Sequence, residues 1–221
     1  MSHRTAAWLA WSLSAVCVAL IALALLLDFL TGEVIPQDMP GDRPGPAFAV
    51  LTGVLSLAFP TVGALIASRL PSNPIGWIFC GMGLLYTAGR FNSAYADYAL
   101  MENFAFAGGE YVAWFSTCSW FAGLTLGVFL ILLFPDGRLP SRWWRIVAWA
   151  ALFGAALSTL GFAFMPDFLI VTHPDVENPF GVVGVIGGLT TYELFGASRF
   201  VGMTLLVVSS LAALFSPILR L

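Results

Sequence analysis

Residues 6–30 contain no charged side chain before Asp28 and only two hydroxyls, Ser12 and Ser14. A run of that kind has few ways to fold. In hydrocarbon every backbone N–H and C=O must bond within the segment, which leaves a helix, and roughly 20 apolar residues cross the bilayer core. The run is too long for the apolar region of a signal peptide, and no small-residue cleavage site follows it. A retained first transmembrane helix is therefore expected. Comparable runs recur at about 46–70, 75–98, 111–134, 143–165 and 197–219. Together they predict one membrane domain, an all-α, polytopic transmembrane helical bundle of about six spans. The chain is 59% hydrophobic and 10% charged. Soluble domains hold about 45–50% and about 25%, so an ordinary soluble core is excluded.

The breaks between runs are chemically marked. Segment 31–45 is acidic and Pro-rich, with Glu33, Asp38 and Asp42 among Pro36, Pro40 and Pro44; it reads as a loop, as do 101–110 and 166–196. Pro60 is expected to kink the second span. In the tight turn at 71–74, Asn73 suits a helix N-cap and Pro74 the first helical position. Trp77 follows near the interface. In the loop at 135–142, Pro135 ends the fourth span, Asp136-Gly137 is turn chemistry, and Ser141 is placed to cap the fifth. Gly123 and Gly127 offer a small-residue face on the fourth span. The Gly-rich stretch 181–196 reads equally as re-entrant, interfacial or part of a span.

Sidedness follows from charge. A short Arg-rich turn flanked by Trp belongs on the cytoplasmic face. Six spans then place both termini inside, with Arg4, Arg69, Arg138, Arg142, Arg145 and Arg220 cytoplasmic and Arg43 outside. Asn73-Pro74-Ile75-Gly76 recurs as Asn178-Pro179-Phe180-Gly181. The recurrence fits an inverted three-plus-three repeat in which the two tetrads open the third and sixth spans. It fits equally a helix-start device used twice.

Candidate functional residues are few. Arg90 lies several turns inside a span, where an unpaired Arg costs at least about 2.5–3.5 kcal/mol. Asp97 is seven residues on and shares its helix face. Glu193 and Arg199 offer a second pair. These four define either an intramembrane polar pocket for a ligand or protons, or two Arg that snorkel to the interface and pair with Asp97 and Glu193. Arg138, Arg142 and Arg145, with Trp143 and Trp144, could hold anionic headgroups, dock a cytoplasmic partner, or simply set topology. Cys17, Cys80 and Cys118 fall in apolar runs, and neither His3 nor His173 has a ligand-spaced neighbour, so no metal is expected. With no phosphate loop, nucleophile elbow or His-Glu pair, neither an enzyme, a cofactor nor a nucleic-acid partner is expected.

Ser-Asn-Pro-Ile-Gly-Trp-Ile at 72–78 and Leu-Phe-Pro-Asp-Gly-Arg-Leu-Pro-Ser-Arg-Trp-Trp-Arg at 133–145 resemble motifs of the membrane-embedded N-terminal sensor regions of bacterial histidine kinases, chiefly actinobacterial. Ala94-Tyr95-Ala96-Asp97-Tyr98-Ala99 and Asn178-Pro179-Phe180-Gly181 fit the same pattern. The resemblance covers about residues 48–221. Its inner-face motif residues here are Asn73, Pro74, Gly76, Trp77, Pro135, Asp136, Gly137, Arg138, Arg142, Trp144 and Arg145. It implies a non-catalytic input module of a two-component system in a bacterial cytoplasmic membrane, able to pair with a second copy. In that family a basic stretch, a His-bearing dimerisation helix and an ATP-binding domain follow the bundle. None of these lies within 1–221, so the resemblance implies either the sensor half of a kinase or a free-standing module. Two other classes stay open: a small transporter or channel using Arg90, Asp97 and Glu193, and a structural membrane partner recruiting a cytoplasmic protein through the Arg-Trp loops.

Overall fold

The computed structural model describes residues 2–34, 46–100, 108–166, 168–169 and 173–216. Its helices are α1 (His3–Val34), α2 (Pro46–Ser56), α3 (Ala58–Arg69), α4 (Pro74–Ala99), α5 (Gly109–Leu133), α6 (Trp144–Phe164) and α7 (Thr191–Leu214). Between α6 and α7 lie two small antiparallel hairpins, β1 (Phe168–Leu169) with β2 (His173–Glu177), and β3 (Val185–Ile186) with β4 (Leu189–Thr190). The fold is all-helical apart from these. Among the described residues, five stretches are long and apolar enough to cross a membrane: His3–Thr31, Val50–Arg69, Gly109–Leu133, Trp144–Phe164 and Thr191–Leu214. The remaining long helix, α4, carries Arg90 and Asp97.

Side chains are arranged inside out relative to a soluble protein. The buried apolar set is mostly Ala, with Cys17, Cys80, Phe121 and Leu132, and buried hydroxyls such as Thr87 and Thr125 donate to carbonyls one turn back in their own helices. Large apolar groups point outward instead, with Trp8 77% and Phe200 73% exposed. Water would penalise that shell, whereas lipid matches it. With no hydrophobic force between helices in lipid, close backbone approach has to hold them.

That approach is made at two antiparallel crossings. Along α3 and α4, Pro60 faces Gly83, Gly63 faces Cys80, and Ala67 faces Gly76; a Cβ added at Gly83 would fall 2.4 Å from Pro60 Cδ. Along α6 and α7, Gly154 and Ser158 face Gly202, where an added Cβ would lie 2.5 Å from the Ser158 nitrogen. The expected small-residue face of α5 is looser: a Cβ added at Gly123 would meet the Tyr86 ring, and one at Gly127 the Met82 methyl, only at ordinary contact distance.

Contacts fix the order of passes. Ala10 of α1 clusters with Ala64, Ala67 and Cys80, and Asp28 reaches Arg90, so α1 runs parallel to α4. Gly109 meets Ala99 while Gly127 meets Met82, so α5 runs back along α4. Ala213 joins Leu132, Ala148 and Ala151, so α7 finishes beside the start of α6. The start of α1 and the end of α7 therefore share one end of the bundle. α1, α3 and α4 form one packed group, α6 and α7 another, and α5 lies between.

Several expected boundaries move. The second run is two helices, broken at Leu57. Pro60 has no N–H for the Ser56 carbonyl and its ring crowds that position. The last helix spans Thr191–Leu214 rather than 197–219, because Thr190 and Glu193 form a capping box that starts it six residues early. Stretch 181–196 is not one unit: its first part holds the β3–β4 hairpin, and from Thr191 it is part of α7, a helix long and apolar enough to span. Ser141 does not cap α6, whose N-cap position is Trp143 with no side-chain cap. Most of the expected outer loops, 35–45 and 101–107, and the end 217–221 with Arg220, lie outside the described residues.

Candidate functional site

Arg90 sits nine residues before the end of α4, about 14 Å along the axis at 1.5 Å per residue. Its Nη2 donates to Oδ2 of Asp28 on α1 in a part-buried ion pair, the Arg side chain 24% and the Asp 28% exposed. An unpaired cation at that depth is costly, and the fold supplies a counter-charge from a residue 62 positions away. Asp97 lies two turns further along α4, half-buried and itself engaged. Arg90, Asp97 and Asp28 thus occupy the α1–α4 side of the bundle.

The second expected pair is not made. The Glu193 carboxylate accepts from the Thr190 nitrogen at 2.9 Å and the Thr190 hydroxyl at 2.8 Å, closing the capping box. Arg199 instead lays its guanidinium over the Phe162 ring, 5.0 Å from the centroid. Because α5 separates α4 from α7, the structure does not bring Arg90 and Arg199 into one pocket.

At the opposite end of α4 the two motif turns meet. Asn73 Oδ1 accepts from the Ile75 nitrogen at 3.0 Å and Pro74 opens the helix, as its sequence position predicts. Trp77 Nε1 donates to the Pro71 carbonyl at 3.1 Å, pinning the turn. Gly137, at φ 72°, lies against this turn; a Cβ there would fall 2.6 Å from Pro74 Cδ and 3.1 Å from Asn73 Oδ1. Only a residue without a side chain fits both the left-handed backbone and the contact. From Gly137 the loop crosses to the other helices. Leu139 and Trp144 pack on the cluster of Val128, Leu132, Ala148, Ala151 and Ala213. The loop 134–143 therefore touches α4 on one side and the α5–α6–α7 core on the other. Arg138, Arg142 and Arg145 stay exposed beside it, with Arg142 5.5 Å over the Trp143 ring.

The second Asn-Pro tetrad does a different job. Asn178 makes the same local turn, its Oδ1 accepting from the Phe180 nitrogen at 3.0 Å, but no helix follows. Its Nδ2 instead donates to the carbonyls of Phe162, Ala163 and Met165 at 3.3, 3.0 and 2.9 Å. Trp114 Nε1 adds a bond to Ala163, and the Val182 nitrogen one to Phe164. The carbonyls that a helix C-terminus leaves orphaned are thus satisfied by three residues, two in the following connection and one on α5. The tetrad closes α6 rather than opening α7, so the two copies are not equivalent parts of a repeat. Nothing in local spacing marks this role, nor the Asp28 partner of Arg90. The Thr190-x-x-Glu193 spacing, by contrast, is a helix-start signal legible in the sequence.

No protein-family model matches the chain, and no curated protein or solved structure is significantly similar to it.

Proposed function

We propose that the chain is the membrane-embedded input module of a bacterial two-component signalling system. In this reading six passes cross the cytoplasmic membrane with both ends inside, and the module has no catalytic residues of its own. The observation that supports the reading is the placement of α4. About 14 Å from one end it holds the Asp28–Arg90 ion pair, and at the other its first turn contacts the Gly137 loop. That loop in turn rests on the α5–α6–α7 core. A cue that opens or closes the ion pair changes how α4 seats on α1, and the Gly137 contact carries the shift to the loop. Packed helices with two discrete seatings are the physical route for such a signal.

The test is ATP-dependent autophosphorylation of the native-length gene product in membrane vesicles, wild type against Arg90→Ala and Asp28→Asn. A changed phosphohistidine level with unchanged insertion supports the reading. A mature protein of about 23.7 kDa with which no kinase co-purifies overturns it, as does phosphorylation indifferent to both variants. The interhelical charge pair also favours a second reading, a small transporter that breaks and remakes the pair during turnover. Ion or solute flux in proteoliposomes, abolished by Arg90→Ala, would move it ahead.

A further inference from the structure

Between Glu177 and Glu193 the chain carries no charged side chain. The middle of that stretch is the β3–β4 hairpin, turned at Gly187 and Gly188 with φ 61° and 88°. A two-residue turn with both central residues at positive φ matches the twist of the flanking strands and holds them as a tight projection. Its base is bonded in place. The Val182 nitrogen donates to the Phe164 carbonyl at 3.0 Å, and Gly184 and Thr191 bond each other through the Thr191 nitrogen at 2.9 Å and its hydroxyl at 3.1 Å. The hairpin is nonetheless bare: Val185 is 69% and Ile186 54% exposed, Leu189 is exposed as well, and Val183, just before the base, is 87% exposed.

Alternation along a strand sends Val185 and Ile186 to opposite faces of the hairpin, and both faces are apolar and uncovered. Packing on the bundle would have hidden one of them, and a protein partner docking on a flat ribbon also covers one. Lipid surrounds a projection from both sides. The exposed apolar surface continues into Tyr192 at the start of α7, where the exposed Glu193 carboxylate, engaged by Thr190, marks its edge. The hairpin also sits at the end of the bundle opposite the Arg-bearing loop, beside the closed terminus of α6. A two-stranded ladder pairs only one edge of each strand, so its outer N–H and C=O groups need water or headgroups and cannot enter the hydrocarbon core.

We infer that the β3–β4 hairpin is an interfacial membrane anchor, its tip seated at the boundary between headgroups and acyl chains of the leaflet opposite the Arg loops. The inference requires the chain to be membrane-embedded but not to signal, so a failed phosphorylation assay leaves it standing. It would hold the α6–α7 junction at fixed depth, while the α1–α4 side remains free to reseat.

The test is spin-label accessibility on the full chain reconstituted in phosphatidylcholine–phosphatidylglycerol vesicles. Nitroxides are placed at Val185→Cys and Ile186→Cys, on the two faces of the hairpin, in a Cys118→Ala background, since Cys17 and Cys80 are buried. An interfacial tip gives oxygen accessibility above that of a water-soluble nickel chelate at both positions. The order reverses at Ser141→Cys in the Arg loop. Nickel above oxygen at both hairpin positions overturns the anchor and puts the tip in water. Low accessibility to both reagents overturns it in favour of a protein partner or a second copy.

Discussion

At the scale of single residues, the two most consequential side chains are Asp28 and Asn178, and each acts on a distant segment. Removing the Asp28 carboxylate leaves Arg90 without its counter-charge. Because both groups are about a quarter exposed, water and snorkelling recover part of the loss, and Asp28→Ala should cost about 1–3 kcal/mol. Unfolding in detergent micelles measures it, and a double-mutant cycle with Arg90→Ala should show the two losses to be strongly non-additive. Additive losses would mean the pair is incidental. Asn178 permits a sharper comparison. Its amide nitrogen donates to three carbonyls, so Asn178→Asp places a carboxylate against the negative end of α6. Asn178→Asp should therefore destabilise more than Asn178→Ala, although Asp is the closer isostere. The reverse order in the same unfolding assay would show that the cap is not what the side chain contributes.

At the scale of elements, stability rests on small residues at two helix crossings. Gly83→Ala drives a methyl into the Pro60 ring, with backbone on both sides unable to yield, and should cost about 1–3 kcal/mol by overpacking. Gly89, two turns along on the same helix, has nothing within 4 Å of where a Cβ would stand. Gly89→Ala should be neutral or stabilising by up to about 1 kcal/mol, since only helix propensity changes. Thermal unfolding of the pair in one detergent separates a packing role from a general dislike of change in α4. The same contrast shows what was legible in the sequence. Helix positions were, because apolar run length and Pro or Gly punctuation act locally: Asn73-Pro74 opens α4 where its chemistry predicts, and Pro60 breaks its helix. The site was half legible. Arg90 announced itself by its cost in lipid, but its partner did not, since Asp28 lies near the end of another run and nothing local joins them. Glu193 and Arg199 sit close in sequence and looked like a pair. The nearer hydrogen-bond donors of Thr190 claim the carboxylate first.

At the scale of the whole molecule, the arrangement of passes constrains sidedness without reference to charge. Gly137 packs against Pro74, so the turn around Ser72 and the loop around Ser141 must face the same compartment whatever the orientation. The start of α1 and the end of α7 lie at that end too. Arg4, Arg69, Arg138, Arg142 and Arg145 therefore share one face, which the proposed reading assigns to the cytoplasm by the positive-inside bias. Ser72 and Ser141 are both exposed and suit a labelling test. In right-side-out vesicles, Ser72→Cys and Ser141→Cys should both resist a membrane-impermeant maleimide until the membrane is permeabilised, and then both react. Labelling of both from outside would invert the orientation while keeping the bundle. Labelling of one and not the other is the more damaging result. It would separate two loops that the Gly137 contact holds together, and with them the path by which α4 could connect the Asp28–Arg90 pair to the Arg-bearing face.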